Sequence, residues 1–256
     1  MRKFTYIDTE SAWDEHLHEG ARQIDSSIQP HHRIGSKRIF AASAFDVTVS
    51  IDGAISCEKI ATWSEHTHGG EQEIVACLFH HLRARTDRTV IGYGSMATDV
   101  PILQLAAMQF SLPLPSHFLS QRKRFELPDA PGRHYDLALG MKGAGRTWHH
   151  LTELMLRIGL PVALMETKKH VDFPSTREGW GIAAAHVELD CALLAIAHLA
   201  WLRIQGQANV DSRIAALAVL EWLKRNGKLT EGLQAKLANA CGGLSATIAD
   251  ERALAA

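Results

Sequence analysis

Cysteine is scarce in this 256-residue chain: Cys57, Cys77, Cys191 and Cys241 are scattered, and none stands in a C-x-x-C pair. That pattern excludes a disulfide framework and a thiolate zinc site, and it reads as reduced, mostly buried thiols. An excess of one charge is lacking too. Twenty-seven Lys and Arg against 28 Asp and Glu leave a formal charge of −1, so no global positive field points to nucleic acid. An enzyme that grips few phosphates and borrows charge from bound metal is still compatible with that balance. No apolar run is expected to span a bilayer, and no leader is visible after Met1-Arg2-Lys3. The longest run, Cys191 to Leu202, contains His198 and ends at Arg203. It is expected to be a core helix of a cytoplasmic protein. Two catalytic signatures are also missing. GMKGAGR at 140–146 lacks the G-x-x-x-x-G-K-[ST] spacing of a phosphate loop, and there is no G-x-S-x-G elbow.

What is present is a periodic α/β pattern. Residues 3–9 read as a strand, 37–50 and 54–63 as an antiparallel hairpin turning at Ile51-Asp52-Gly53, and 89–93 as a short buried strand. Apolar residues at Ile74, Val75, Leu78, Phe79 and Leu82 have helical spacing. Pro101 stands in the first turn of another helix. Thr147 is placed to cap a helix running to Ile158 and stopped by Gly159 and Pro161; 14–32 reads as a loop or a short helix, and 111–133 and 161–180 as irregular connections. A long helix is predicted over 182–205, with two more over 210–226 and 229–240. The 15 histidines include three adjacent pairs, His31-His32, His80-His81 and His149-His150, which diverge on a helix or strand and are expected mostly at the surface.

The chemistry begins in FTYIDTES at 4–11, where Asp8 and Glu10 follow an apolar, β-prone run. Alternation puts both carboxylates on one face of a strand. There they repel unless a cation lies between them, and hard divalent ions prefer carboxylate oxygen. Asp99 follows the fourth predicted strand at a helix start, where an isolated aspartate is commonly an N-cap. His186 and Asp190 are four apart and share a helical face.

Together, Asp8-x-Glu10 on a first strand, Asp99 after a later one and Asp190 late on a helix resemble the DEDD superfamily of 3′–5′ exonucleases. RHYDL at 133–137 and HLTELMLRIGLP at 150–161 narrow the resemblance to bacterial predicted exonucleases related to the proofreading domain of family B DNA polymerases. It extends from about Phe4 to about Trp201. His186 stands where the narrower family usually has tyrosine, and Gly94, Ser95 and Thr98 replace its Asn-Gly-aromatic pattern. The resemblance implies a ribonuclease-H-like α/β fold with a mixed five-stranded sheet flanked by helices. The exonuclease-like domain would occupy 1–206 and a C-terminal helical extension 207–256. It further implies two Mg²⁺ or Mn²⁺ ions held by Asp8, Glu10, Asp99 and Asp190, as in a two-metal phosphodiester hydrolysis. His186 is a candidate to orient or deprotonate the attacking water.

Asp136, in HYDL, either supports that site or ties down its loop. Arg122, Lys123, Arg124, Lys168 and Lys169 are candidate phosphate contacts, and Trp148, with Phe125, is a candidate to stack on a terminal base. The expected substrate is the 3′ end of single-stranded DNA or RNA. Two other readings stand beside it: a nucleic-acid-binding protein of the same fold with weakened catalysis, and a phosphodiesterase for short oligonucleotides. The C-terminal helices could pack on the first domain, form a homodimer or meet a protein partner.

Overall fold

A computed structural model of the chain describes residues 1–27, 33–119, 132–142, 149–167 and 171–255. Five strands, β1 (Arg2–Trp13), β2 (Lys37–Val49), β3 (Ile55–Ser64), β4 (Thr89–Gly92) and β5 (His134–Asp136), form one sheet in the order β3-β2-β1-β4-β5. The first three pair antiparallel, while β4 runs parallel to both β1 and β5. The mixed five-stranded sheet expected from the sequence is thus present. The helices are α1 (Glu15–Ile24), α2 (Glu65–His68), α3 (Glu71–Arg83), α4 (Asp99–Gln109), α5 (Ser116–Leu119), α6 (Leu137–Met141), α7 (Leu151–Ile158), α8 (Val162–Met165), α9 (Arg177–Ile204), α10 (Ser212–Asn226) and α11 (Glu231–Ala255).

Strand alternation explains the layering. Phe4 and Tyr6 of β1 pack with Phe45 and Val47 of β2 into a core shared with α7 and with α9 to α11. Ile7, Ala42 and Ala44 point the other way, into a second core with α3 and α4. The central strand is thus buried on both faces, as a sheet covered by helices requires. The period of two that sends Phe4 and Tyr6 toward α9 carries Asp8 and Glu10 to the same side.

At 28 residues, α9 would be about 42 Å long. Thr176 starts it by accepting a hydrogen bond from Gly179 N at 3.0 Å. By length and composition α9 is apolar enough to cross a membrane, contrary to expectation, but 83% of its most apolar stretch is buried inside the protein. Leu233, Leu237 and Leu244 of α11 and Val219, Leu220 and Leu223 of α10 lie in the same core as β1. Gly53, at the turn of the β2–β3 hairpin, has φ +95°, and a Cβ there would stand 2.1 Å from Asn209 O. Asn209 N also donates to Ile51 O at 3.1 Å. The hairpin turn therefore serves as a seat for the segment that leads into α10.

Several elements differ from expectation. The first strand runs to Trp13; beyond it the short-helix reading of 14–32 holds, with Asp14 capping α1 by accepting from Leu17 N at 2.9 Å. Helix α7 begins later than expected, at Leu151. It is capped by His150, whose backbone N–H donates to Glu153 at 2.7 Å, whereas Thr147 lies outside the described residues. A short helix, α8, interrupts the connection expected over 161–180, and α11 extends far past residue 240. His81 is buried rather than superficial, with Nε2 3.3 Å from Asp46 Oδ2.

Candidate metal centre

Glu10, near the far end of β1, faces His186 and Asp190, which lie one turn apart on α9. His186 Nε2 is 3.3 Å from Glu10 Oε1 and 3.6 Å from Asp190 Oδ2. One donor atom from each of the three lies within 4.8 Å of the others. All three are largely withdrawn from solvent, with side-chain exposures of 15%, 8% and 12%. Two carboxylates this close repel, and only a cation or a proton shared through the imidazole relieves that repulsion. Carboxylate oxygen beside one imidazole nitrogen is a donor set that Mn²⁺ accepts readily and Mg²⁺ accepts through its oxygens.

Asp8 and Asp99 are not members of this three-residue group. Asp8 pairs in register with Ser43 on β2, and the Ser43 carbonyl accepts the Cys191 thiol at 3.6 Å. Burial first, then the charges of Asp8 and Asp190, push the Cys191 thiol well above its ordinary pKa. Asp8 therefore lies within electrostatic reach of the residue beside Asp190. Asp99 is the first helical residue of α4, and Thr98, not Asp99, occupies the N-cap. Its carboxylate is held by two hydroxyls, Thr9 at 2.5 Å and Thr98 at 3.1 Å. Burial nonetheless raises its pKa, since desolvation outweighs both hydrogen bonds.

Asp136 supports the backbone that leads to Asp99. Its oxygens accept from Gly94 N at 2.9 Å, Met96 N at 2.9 Å and Leu139 N at 3.2 Å, so it ties down the β4–α4 loop while capping α6. His134, two residues earlier on β5, meets Ser95 Oγ at 3.0 Å. Ser95 comes so close to β4 that a Cβ on Gly92 would lie 2.1 Å from its hydroxyl. The roles of Thr9, Ser95 and His134 are not legible in the sequence.

A cavity of about 270 Å³ opens beside His186, between α9 and the start of α11, with Ile182, Ala185 and Leu233 as apolar walls and Lys236 among its polar ones. The expected substrate contacts Arg122, Lys123, Arg124, Phe125, Trp148, Lys168 and Lys169 lie outside the described residues, as does most of the glycine-rich 140–146 stretch.

Sheet order and helix placement define an α/β protein, a mixed five-stranded sheet covered by helices on both faces. Among solved structures, the chain is similar to the family B DNA polymerase of the hyperthermophilic archaeon Pyrobaculum calidifontis, with 13% identity and a TM-score of 0.49, over 89% of this chain and 30% of that one. It is also similar to Escherichia coli exonuclease I in a zinc-bound complex with single-stranded DNA, at 12% identity and a TM-score of 0.40, over 88% of this chain and 43% of that one. The same exonuclease bound to a dA13 oligonucleotide gives 10% identity and a TM-score of 0.36, over 88% and 41% of the two chains. The chain thus spans less than half the length of each of these structures. No protein-family description matches it, and no curated protein matches it in sequence.

Proposed function

We propose that the protein is a metal-dependent phosphodiester hydrolase, a 3′–5′ exonuclease acting on ends of single-stranded nucleic acid in the cytoplasm. The observation that carries this reading is the meeting of Glu10, His186 and Asp190 within 4.8 Å at the end of the central strand. Asp8 lies on the same strand face, and Asp99 is tethered to the adjacent Thr9. A mere binder of phosphate gains nothing from carboxylates gathered there, because they repel the ligand. Divalent ions held by Asp8, Glu10, Asp99 and Asp190, Mg²⁺ or Mn²⁺, would supply the Lewis acidity and the charge that an anionic phosphodiester needs.

The chain's own groups then divide the work. Glu10 and Asp190 approach from two elements and fix the position of the imidazole between them. His186, held between them, is placed to accept a proton from the attacking water as a general base. Thr9 and Thr98 orient the Asp99 carboxylate, and Asp136 holds the loop that delivers it.

The test uses 5′-labelled single-stranded DNA and RNA with Mg²⁺, Mn²⁺ or EDTA, comparing wild type with Asp8→Ala and Asp190→Ala. A metal-dependent ladder shortening from the 3′ end, lost in both variants, is the expected result. Binding without cleavage under any metal would replace this reading with that of a nucleic-acid-binding protein.

A further inference from the structure

Strand register places a second cavity at the same end of the sheet. Glu10 pairs with Ala41, and Ala41 pairs with Ser64. Ser64 is therefore two strands from Glu10, about 10 Å away. There a cavity of about 280 Å³ is lined by Thr62 and Ser64 of β3, His66 of α2, Arg177 and Trp180 of the first turns of α9, and Lys228 just before α11. It holds two cations and no carboxylate among its lining residues. Glu65, the neighbour of His66, is drawn away to Arg38 at 2.7 Å. Glu188, beneath the cavity, has its oxygens occupied by the Thr62 hydroxyl at 2.5 Å and by Lys228 N at 2.6 Å. The Lys228 ammonium reaches Thr62 O at 3.4 Å, which leaves two of its three protons for a ligand. His66 and Trp180 are stacked, with centroids 6.0 Å apart and planes at 13°, and they offer a flat wall. In a chain of net charge −1, such a concentration of cations and hydroxyls suits a phosphate attached to a flat or sugar-like group.

We propose that this cavity binds a backbone phosphodiester of the same single strand whose 3′ end lies at Glu10, a few nucleotides upstream of the bond to be cut. The proposal rests on the nuclease reading given above. It assigns Arg177 and Lys228 to phosphate contact and the His66–Trp180 pair to the adjoining sugar or base. Lys228 belongs to the C-terminal extension, so the extension contributes to the substrate path as well as to the core. Phosphates held this way position the strand without reading its sequence.

The experiment measures oligonucleotide affinity against salt, with Ca²⁺ in place of Mg²⁺, for wild type and the Arg177→Gln/Lys228→Gln double variant. Both side chains are exposed, and Lys228→Gln keeps the backbone N–H that Glu188 needs, so the melting temperature serves as the folding control. The slope of log affinity against log salt is expected to be shallower by about 1.4 in the variant, about 0.7 for each lost phosphate contact on a single strand. With Mg²⁺, the KM for a long oligonucleotide should rise, while turnover of a dinucleotide, too short to reach the cavity, stays the same. Equal slopes in two proteins that both bind would overturn the cavity assignment and leave the nuclease reading standing. Failure of wild type to bind any oligonucleotide would bring down both.

Discussion

His186 Nε2 lies 3.3 Å from Glu10 Oε1, joining the long core helix to the far end of the first strand. Neither element alone creates this contact. β1 must keep strict alternation from Phe4 to Glu10, and its register with β2 shifts only after Glu10, between Glu10 and Ser11. α9 must cross the sheet so that its His186–Asp190 face meets β1, while Ala183 and Val187, on the next face, pack on Phe40 and Ala41 of β2. The imidazole is thus held between two carboxylates by packing on both sides.

That placement separates turnover from binding. His186→Ala is expected to lower kcat by roughly 10²- to 10⁴-fold, the usual worth of a positioned base, with little change in oligonucleotide affinity. Single-turnover rates and binding isotherms on the same preparations check it. An unchanged rate removes His186 from the chemistry.

Metal binding should be visible in stability before any substrate is added. At a hundredfold excess over its dissociation constant, Mn²⁺ stabilises the protein by about 2.7 kcal/mol, which for a chain of this size is about 5–10 °C in melting temperature. Glu10→Gln and Asp190→Asn relieve the local repulsion, so each should melt higher than wild type in EDTA and gain less from Mn²⁺. A wild-type melting curve indifferent to Mn²⁺ and Mg²⁺ would contradict the metal assignment.

Asp136 accepts three backbone N–H groups, from Gly94, Met96 and Leu139. Asp136→Ala orphans all three, and the expected loss is about 3 kcal/mol, read from the urea midpoint. Activity should fall further than stability explains, because the loop that carries Asp99 loses its tether. Asp136→Asn keeps an acceptor and should lie between the two.

Much of this architecture is legible in the chain itself, for physical reasons. β1, the hairpin and α3 show clean periods of two or 3.6, and the carboxylates at 8, 10, 99 and 190 keep the order of a known nuclease pattern. What escapes is long-range and polar. Nothing local announces that Thr9 will find Asp99, that His81 will be buried against Asp46, or that Glu188 will be covered by the Lys228 backbone. Each such pairing joins residues far apart in sequence and leaves no periodic trace. Three residues are also too few for β5 to display an alternation, so while Asp136 is legible as a loop tie, the part of His134 emerges only in three dimensions.

Glu188 is a further example, with a measurable consequence. It is almost fully buried, and burial raises its pKa despite the hydrogen bonds from Thr62 and Lys228 N. Glu188→Ala leaves both donors without their acceptor and loosens the junction between α10 and α11. A loss of about 2–3 kcal/mol is expected, with earlier proteolytic cutting near residue 228. If the cutting pattern matches wild type, Glu188 is not what pins that junction.

His198 gives the clearest pH signature. It is fully buried on α9, with Nδ1 3.0 Å from the Tyr6 hydroxyl, and burial pushes its pKa down to about 3. In the unfolded chain the ordinary value near 6.5 returns. Between those two values the unfolded state binds the extra proton and the folded state does not, so stability rises with pH across that window and falls as acid is added. A single such proton contributes a slope of up to about 1.4 kcal/mol per pH unit. His198→Gln keeps an acceptor for Tyr6 but cannot titrate. Between pH 6 and pH 4 its urea midpoint should therefore decline less steeply than that of wild type, while every other titrating group contributes equally to both. Parallel declines would show that His198 is charged within the fold, which the apolar packing of Phe4, Tyr6 and Tyr135 around its ring does not allow.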